Sequence, residues 1–300
     1  MTEPRTYSVA GFRFGLEAEP SLFGRMQNLQ PFCLHNGAAS EDEELLFSIH
    51  TVPAPFESGD SEKATYSACS GDVRPRTDIY AGPDSWRFQF RSVTERPVAA
   101  ELVSDKSFRH GQLYLSGVSD RFGLNMALKL MFTFATAFSG ALETHASVVV
   151  NEGKGYLFLG FSGTGKSTHS RLWMESLPGT ELLNDDYPVL RLMPDGSVRV
   201  FGSPWSGQTP CYKQENAPVG AIVWLKQGPE NRIQQLSAVD AYAALMSSTS
   251  AFRPMKKLAD GWHKTLEAIS TTIPFYVLEC LPDKSAAELC YHTVHSKTNI

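Results

Sequence analysis

The sequence predicts an α/β protein with a β-rich N-terminal part. Three observations carry that reading. Short runs of alternating apolar and polar residues recur through residues 1–120. A glycine-rich phosphate-loop motif then sits between an apolar strand and a helical segment. From there to the C-terminus, strand and helix patterns alternate. The natural division is a β-rich region over 1–120 and a catalytic-type domain over 121–300, and a chain of 300 residues fits about two domains.

In the first region the strands read as Tyr7–Val9, Phe12–Phe14, Leu45–Ile49, Trp86–Phe90 and Gln112–Leu115. Turn formers separate them, as in Glu57-Ser58-Gly59-Asp60 and Ala81-Gly82-Pro83-Asp84. Such runs predict half-buried antiparallel strands. The acidic run Glu41–Glu44 reads as a solvated loop. The apolar stretch Leu124–Leu142 approaches the length of a membrane span. Its Lys129, Asn125 and hydroxyl residues, directly before a soluble-type motif, make it a buried core helix instead.

The second region begins with a strand over Ala146–Val150, a turn, and a strand over Tyr156–Leu159. A helix starts near Lys166, and strands follow at 181–184, 189–192, 198–201 and 220–225. Asp195-Gly196 marks a hairpin. Helical patterns cover 237–252 and 256–271, then a strand at Phe275–Leu278 and a helix near 284–294.

Composition narrows the function. Apolar residues at 42% and charged residues at 20% exclude wholesale disorder. A net charge of −5 argues against a nucleic-acid partner and against a polybasic membrane contact. Five cysteines without a CxxC pair read as reduced thiols, and the N-terminus lacks the apolar core of a signal peptide. Both point to a cytoplasmic protein.

The chemistry lies in Gly160-Phe161-Ser162-Gly163-Thr164-Gly165-Lys166-Ser167, a full match to G-x-x-x-x-G-K-[ST]. Glycines at Gly160, Gly163 and Gly165 let the backbone turn its N–H groups inward as an anion nest, with Ser162, Thr164 and Thr168 in the same cradle. Lys166 supplies a point charge to the β- and γ-phosphates, and the Ser167 hydroxyl is placed for Mg²⁺. About nineteen residues on, Leu182-Leu183-Asn184-Asp185-Asp186 is an apolar strand ending in two carboxylates. One could hold the metal and the other accept a proton from an attacking hydroxyl. Adjacent residues of an extended segment point to opposite sides, so the roles divide. A slight preference makes Asp185 the base and Asp186 the metal partner of Ser167.

His145, just before the strand leading to the loop, is a candidate catalytic residue. His169 reads as a helix residue turned away from the nucleotide. Gly202-Ser203-Pro204-Trp205-Ser206-Gly207 reads as a specialised loop that approaches phosphates or walls a pocket. Lys213 and Arg253 read as solvated cations.

With His145, GFSGTGKST and the Asn-Asp-Asp strand end in order, the segment 143–210 resembles the catalytic core of the HPr kinase/phosphorylase family, which is related in fold to ATP-type phosphoenolpyruvate carboxykinase. The resemblance implies a P-loop on a mixed, partly antiparallel sheet, with ATP and Mg²⁺ as cofactors. It also implies phosphoryl transfer to a hydroxyl, serine above all, of a protein, peptide or small-molecule acceptor. The glutamate-arginine-glycine segment that serves the family's phosphorylase reaction is not legible; the loop at 202–207 stands near its place. A carboxykinase-like lyase and a nucleotide-binding sensor without chemistry are the competing readings, and a homo-oligomer is left open.

Overall fold

The computed structural model describes residues 1–34, 44–57, 63–69, 75–93, 96–207, 209–250 and 255–296. Arg253, most of the acidic run 41–44 and the turn at 58–60 lie outside these residues. The chain forms two compact units, Met1–Ala135 and Thr136–Ile300. It is a mixed α/β protein with a large mixed sheet in each unit.

The first unit contains β1 (Glu3–Val9), β2 (Phe12–Ala18), α1 (Pro20–Arg25), β3 (Cys33–Leu34), β4 (Phe47–Val52), β5 (Tyr66–Cys69), β6 (Arg76–Ala81), β7 (Ser85–Arg91), β8 (Ala100–Asp105), β9 (His110–Leu115) and α2 (Asp120–Ala135). The strand order is β3-β1-β2-β4-β9-β8-β7-β6-β5. Alternation drives the sheet: Val9, Phe14, Leu16, Phe47, Ile49, Phe88, Phe90 and Leu113 are buried. The expectation of antiparallel pairing holds for most pairs and fails at β4, which runs parallel to both β2 and β9. Alternation specifies a face and leaves direction undetermined; direction is set by the long connections on either side of β4.

Helix α2 packs on β4, β7, β8 and β9 through Leu124, Ala127, Leu128 and Met131. The sequence reading starts its second region at 121, whereas this helix belongs to the first unit's core. It also ends seven residues earlier than the apolar run suggests. Residues 136–140 turn, with Gly140 at φ +70°, and Ala141–Glu143 becomes a strand. Unbroken hydrophobicity cannot distinguish a buried helix from a buried strand. Among the described residues, no helix is long and apolar enough to cross a membrane.

The second unit contains β10 (Ala141–Glu143), β11 (Ala146–Asn151), β12 (Lys154–Leu159), α3 (Lys166–Ser176), β13 (Glu181–Asp186), β14 (Val189–Leu192), β15 (Val198–Phe201), β16 (Asn216–Gln227), β17 (Arg232–Gln235), α4 (Ala238–Ser248), α5 (Lys256–Thr272), β18 (Phe275–Cys280) and α6 (Lys284–Ser296). Its order is β10-β14-β15-β16-β12-β11-β13. The twelve-residue β16 is the axis: its start pairs antiparallel with β15, its middle parallel with β12, and its end parallel with β18. β11 runs antiparallel to both β12 and β13. Near-continuous apolar runs such as Tyr156–Leu159 and Ala221–Val223 are buried on both faces. One face carries α3 and α6 over Phe158, Trp173, Val223, Leu278 and Cys290. Helices α4 and α5 pack together, α4 against β12 and β18, α5 against β10 and β14. This arrangement brings the C-terminal ends of β12 and β13 and the start of α3 to one place.

Candidate functional site

The glycine loop joins the buried end of β12 to the N-terminus of α3. Gly160, Gly163 and Gly165 have φ of +147°, +83° and +102°, values that side-chain-bearing residues rarely adopt. At Gly160 space is also short: a Cβ would lie 2.6 Å from Thr164 Oγ1 and 3.1 Å from the Leu225 carbonyl oxygen. The loop is held from within. Thr164 Oγ1 donates to the Phe161 carbonyl at 2.7 Å, and Lys166 Nζ donates to the Gly160 carbonyl at 3.0 Å. Gln227 Nε2, from the end of β16, donates to the Gly163 carbonyl at 3.3 Å. Burial pulls the Lys166 ammonium below its usual range, with Asp186 and Asp185 opposing the shift. Ser162 and Ser167 are exposed, and Thr164 and Thr168 are half-buried.

The two carboxylates end β13. Ser167 Oγ donates to Asp185 Oδ1 at 2.8 Å, and Asp185 is buried. Asp186 points the other way, with its Oδ1 3.2 Å from His145 Nε2; those two side chains are 29% and 33% exposed. The divergence is what an extended pair requires. These pairings run opposite to the division expected from sequence, which put Asp186 with Ser167. Strand register decides this: β11 and β13 align Ala146 with Asp186 and Ser147 with Asp185, so His145 arrives beside Asp186. The His145 ring stacks on Tyr187 at 5.5 Å between centroids, and its backbone N–H donates to the Ser248 carbonyl. Burial raises the Tyr187 phenol, with the Asp186 and Glu143 charges adding, so the ring stays neutral.

The loop at 202–207 braces these acids. Gly207 N–H donates to the Asp185 carbonyl at 2.8 Å, and Tyr187 N–H to the Trp205 carbonyl at 3.2 Å. Buried Asn184 donates through Nδ2 to the Ser203 carbonyl at 3.3 Å, and Ser203 Oγ donates to the Tyr187 carbonyl at 2.5 Å. A Cβ on Gly207 would lie 2.7 Å from the Asp185 carbonyl oxygen. Trp205 is packed inside rather than presented to a pocket. Lys213 pairs with Glu181 at 3.1 Å, away from the Asp pair. His169 is buried, as a core residue would be, edge-on to Phe158 at 4.6 Å.

Ser167 and Asp185 together present oxygen donors suited to Mg²⁺, which keeps water and phosphate oxygens among its ligands. Sequence reasoning named Asn184 and Ser203 only as members of the Asn-Asp-Asp strand end and of the 202–207 loop, without the hydrogen bond that joins them, and it missed Gln227, which no local motif marks.

No family model matches the chain, and no curated protein matches it. Among solved structures, the HPr(Ser) kinase/phosphatase from Coxiella burnetii aligns with 53% of this chain and 99% of its own, at 12% identity and a TM-score of 0.32. A similarity that distant carries no functional information, and what the site can do rests on its own geometry.

Proposed function

We propose that the second unit is an ATP-dependent kinase that transfers a γ-phosphoryl group to a hydroxyl, serine above all, of a protein, peptide or small molecule. The observation that carries it is the pairing of Asp185 with Ser167 and of Asp186 with His145 beside the glycine loop. The loop amides and Lys166 would cradle the phosphates. Ser167 and Asp185 would hold Mg²⁺, which when bound offsets charge on the β- and γ-oxygens. Asp186, partly exposed, is the better proton acceptor: it is open to an incoming hydroxyl, and His145 orients it. In the transfer, the acceptor O–H bond breaks and its proton goes to Asp186. The acceptor oxygen bonds to the γ-phosphorus as the bond to the β,γ-bridging oxygen breaks, releasing ADP. Lys166 and the loop amides stay fixed on the developing charge.

The test is γ-labelled ATP with free serine, serine-containing peptides and total soluble protein of the host as acceptors. Label should move to a hydroxyl, and Asp186→Asn should lower transfer by roughly 10²–10⁴ while ATP still binds. Asp185→Asn should instead raise the Mg²⁺ needed for binding. Binding without transfer to any acceptor would favour the sensor reading. Bicarbonate-dependent turnover would favour the lyase.

A further inference from the structure

The sheet of the second unit puts the two acids on opposite faces. Residues in register on neighbouring strands point to the same side. Val223, Phe158, Ser147 and Asp185 stand in one row across β16, β12, β11 and β13. That row faces α3: Phe158 and Val223 pack with Trp173, Ser147 Oγ lies 2.6 Å from Ser170 Oγ, and Asp185 accepts from Ser167. One residue nearer the glycine loop, Trp224, Leu159, Ala146 and Asp186 make the next row, which faces the other way. In the kinase reading the metal belongs to the first face and the acceptor hydroxyl to the second.

The middle of the second row is closed and its ends are open. Leu159 and Ala146 are fully buried, whereas Asp186 and Trp224 are partly exposed. Phe161 meets Trp224 edge-on at 5.3 Å between centroids and is itself 70% exposed. It occupies a position that the phosphate-loop motif leaves free. Its carbonyl accepts the Thr164 hydrogen bond that holds the loop, and its ring takes no part in that bond. A ring already held against an indole has little freedom left to lose when an apolar group lands on it. Two residues along β16, Lys226 stands in register with Glu279, so that strand end carries both signs of charge. The aromatic pair therefore offers apolar surface without a net field, which suits an apolar side chain better than a charged one.

Three strand spacings separate Trp224 from Asp186, about 14 Å in all. An extended polypeptide covers that distance in about four residues, and a free amino acid does not reach from one end to the other. We infer that Phe161 and Trp224 set acceptor specificity: they take an apolar side chain of an extended polypeptide, about four residues from the hydroxyl that faces Asp186. The inference rests on the kinase reading and adds which acceptors that site selects.

The test uses serine peptides that carry leucine, or glutamine in its place, about four residues before or after the serine. With γ-labelled ATP, the wild type should use one leucine peptide about tenfold better than its glutamine partner, through KM rather than kcat. Phe161→Ser should erase that preference by raising KM for the leucine peptide alone, with kcat and the calorimetric affinity for MgATP kept. Equal use of leucine and glutamine peptides by the wild type overturns the inference, whatever the variant does. So does a preference that survives Phe161→Ser, or an equal loss with both peptides, which marks a merely structural ring. Loss of MgATP affinity in the variant would assign the ring to the nucleotide and overturn it as well. Transfer to free serine but to none of the peptides would overturn it and leave the kinase reading standing. If the wild type transfers label to no acceptor, the two fall together.

Discussion

The burial of His169 makes a quantitative prediction about stability and pH. Its ring lies edge-on to Phe158 and accepts from Trp173 Nε1, inside the core beneath α3. Burial takes its pKa from 6.5 to about 4. Above pH 6.5 both folded and unfolded chains carry it neutral, and it contributes no pH dependence. Between pH 6.5 and about 4, the unfolded chain holds a proton that the folded chain does not. Stability therefore falls as pH falls through that window. The full effect of that displacement is about 3 kcal/mol. About 1 kcal/mol should be gone by about pH 5.5 and about 2–3 kcal/mol by about pH 4.5. His169→Gln keeps an acceptor for Trp173 and cannot titrate. Urea unfolding followed by tryptophan fluorescence suits the measurement, since four of the five tryptophans lie in the second unit. At neutral pH the variant should be the less stable, through imperfect packing. That gap should shrink as pH approaches 4.5, and then reverse if it starts below about 2 kcal/mol. Other titrating groups cancel in the difference between the two proteins. Parallel pH profiles for wild type and variant would refute the reasoning.

Two more predictions concern the site. Lys166→Ala removes a charged donor from the phosphates and should weaken MgATP binding by about ten- to a hundredfold, the range of one charge-assisted hydrogen bond. Calorimetry reads this, circular dichroism should show an unchanged fold, and an unaltered affinity would remove Lys166 from the site. Gly207→Ala would place a Cβ 2.7 Å from the Asp185 carbonyl, so the backbone carrying both acids must shift. Phosphoryl transfer should fall about tenfold or more with nucleotide affinity kept, because misplacement by a fraction of an ångström harms transfer before binding. Full activity in that variant would show that the 202–207 loop does not set the position of the acids.

Local features of this chain were legible because near neighbours impose them. Gly160, Gly163 and Gly165 permit the positive φ angles that other residues rarely adopt, and with Lys166 and Ser167 in fixed spacing they let the loop between β12 and α3 be read directly. Asp195-Gly196 likewise imposes the turn between β14 and β15, whatever surrounds it. The apolar run ending in Asp185 and Asp186 announced a strand with acids at its tip. Tertiary structure alone decided the rest. The end of α2 at Ala135 depends on where β14 offers an edge for Ala141–Glu143, which hydrophobicity does not encode. The parallel course of β4 depends on its connections. Above all, Asp185 and Asp186 are chemically identical neighbours. Their difference comes from the register of β11 on β13, which delivers His145 to one side, and from α3, which delivers Ser167 to the other. A residue's type is a property of the chain, whereas its partner is a property of how distant segments are brought into contact, and it is by their partners that these two acids differ.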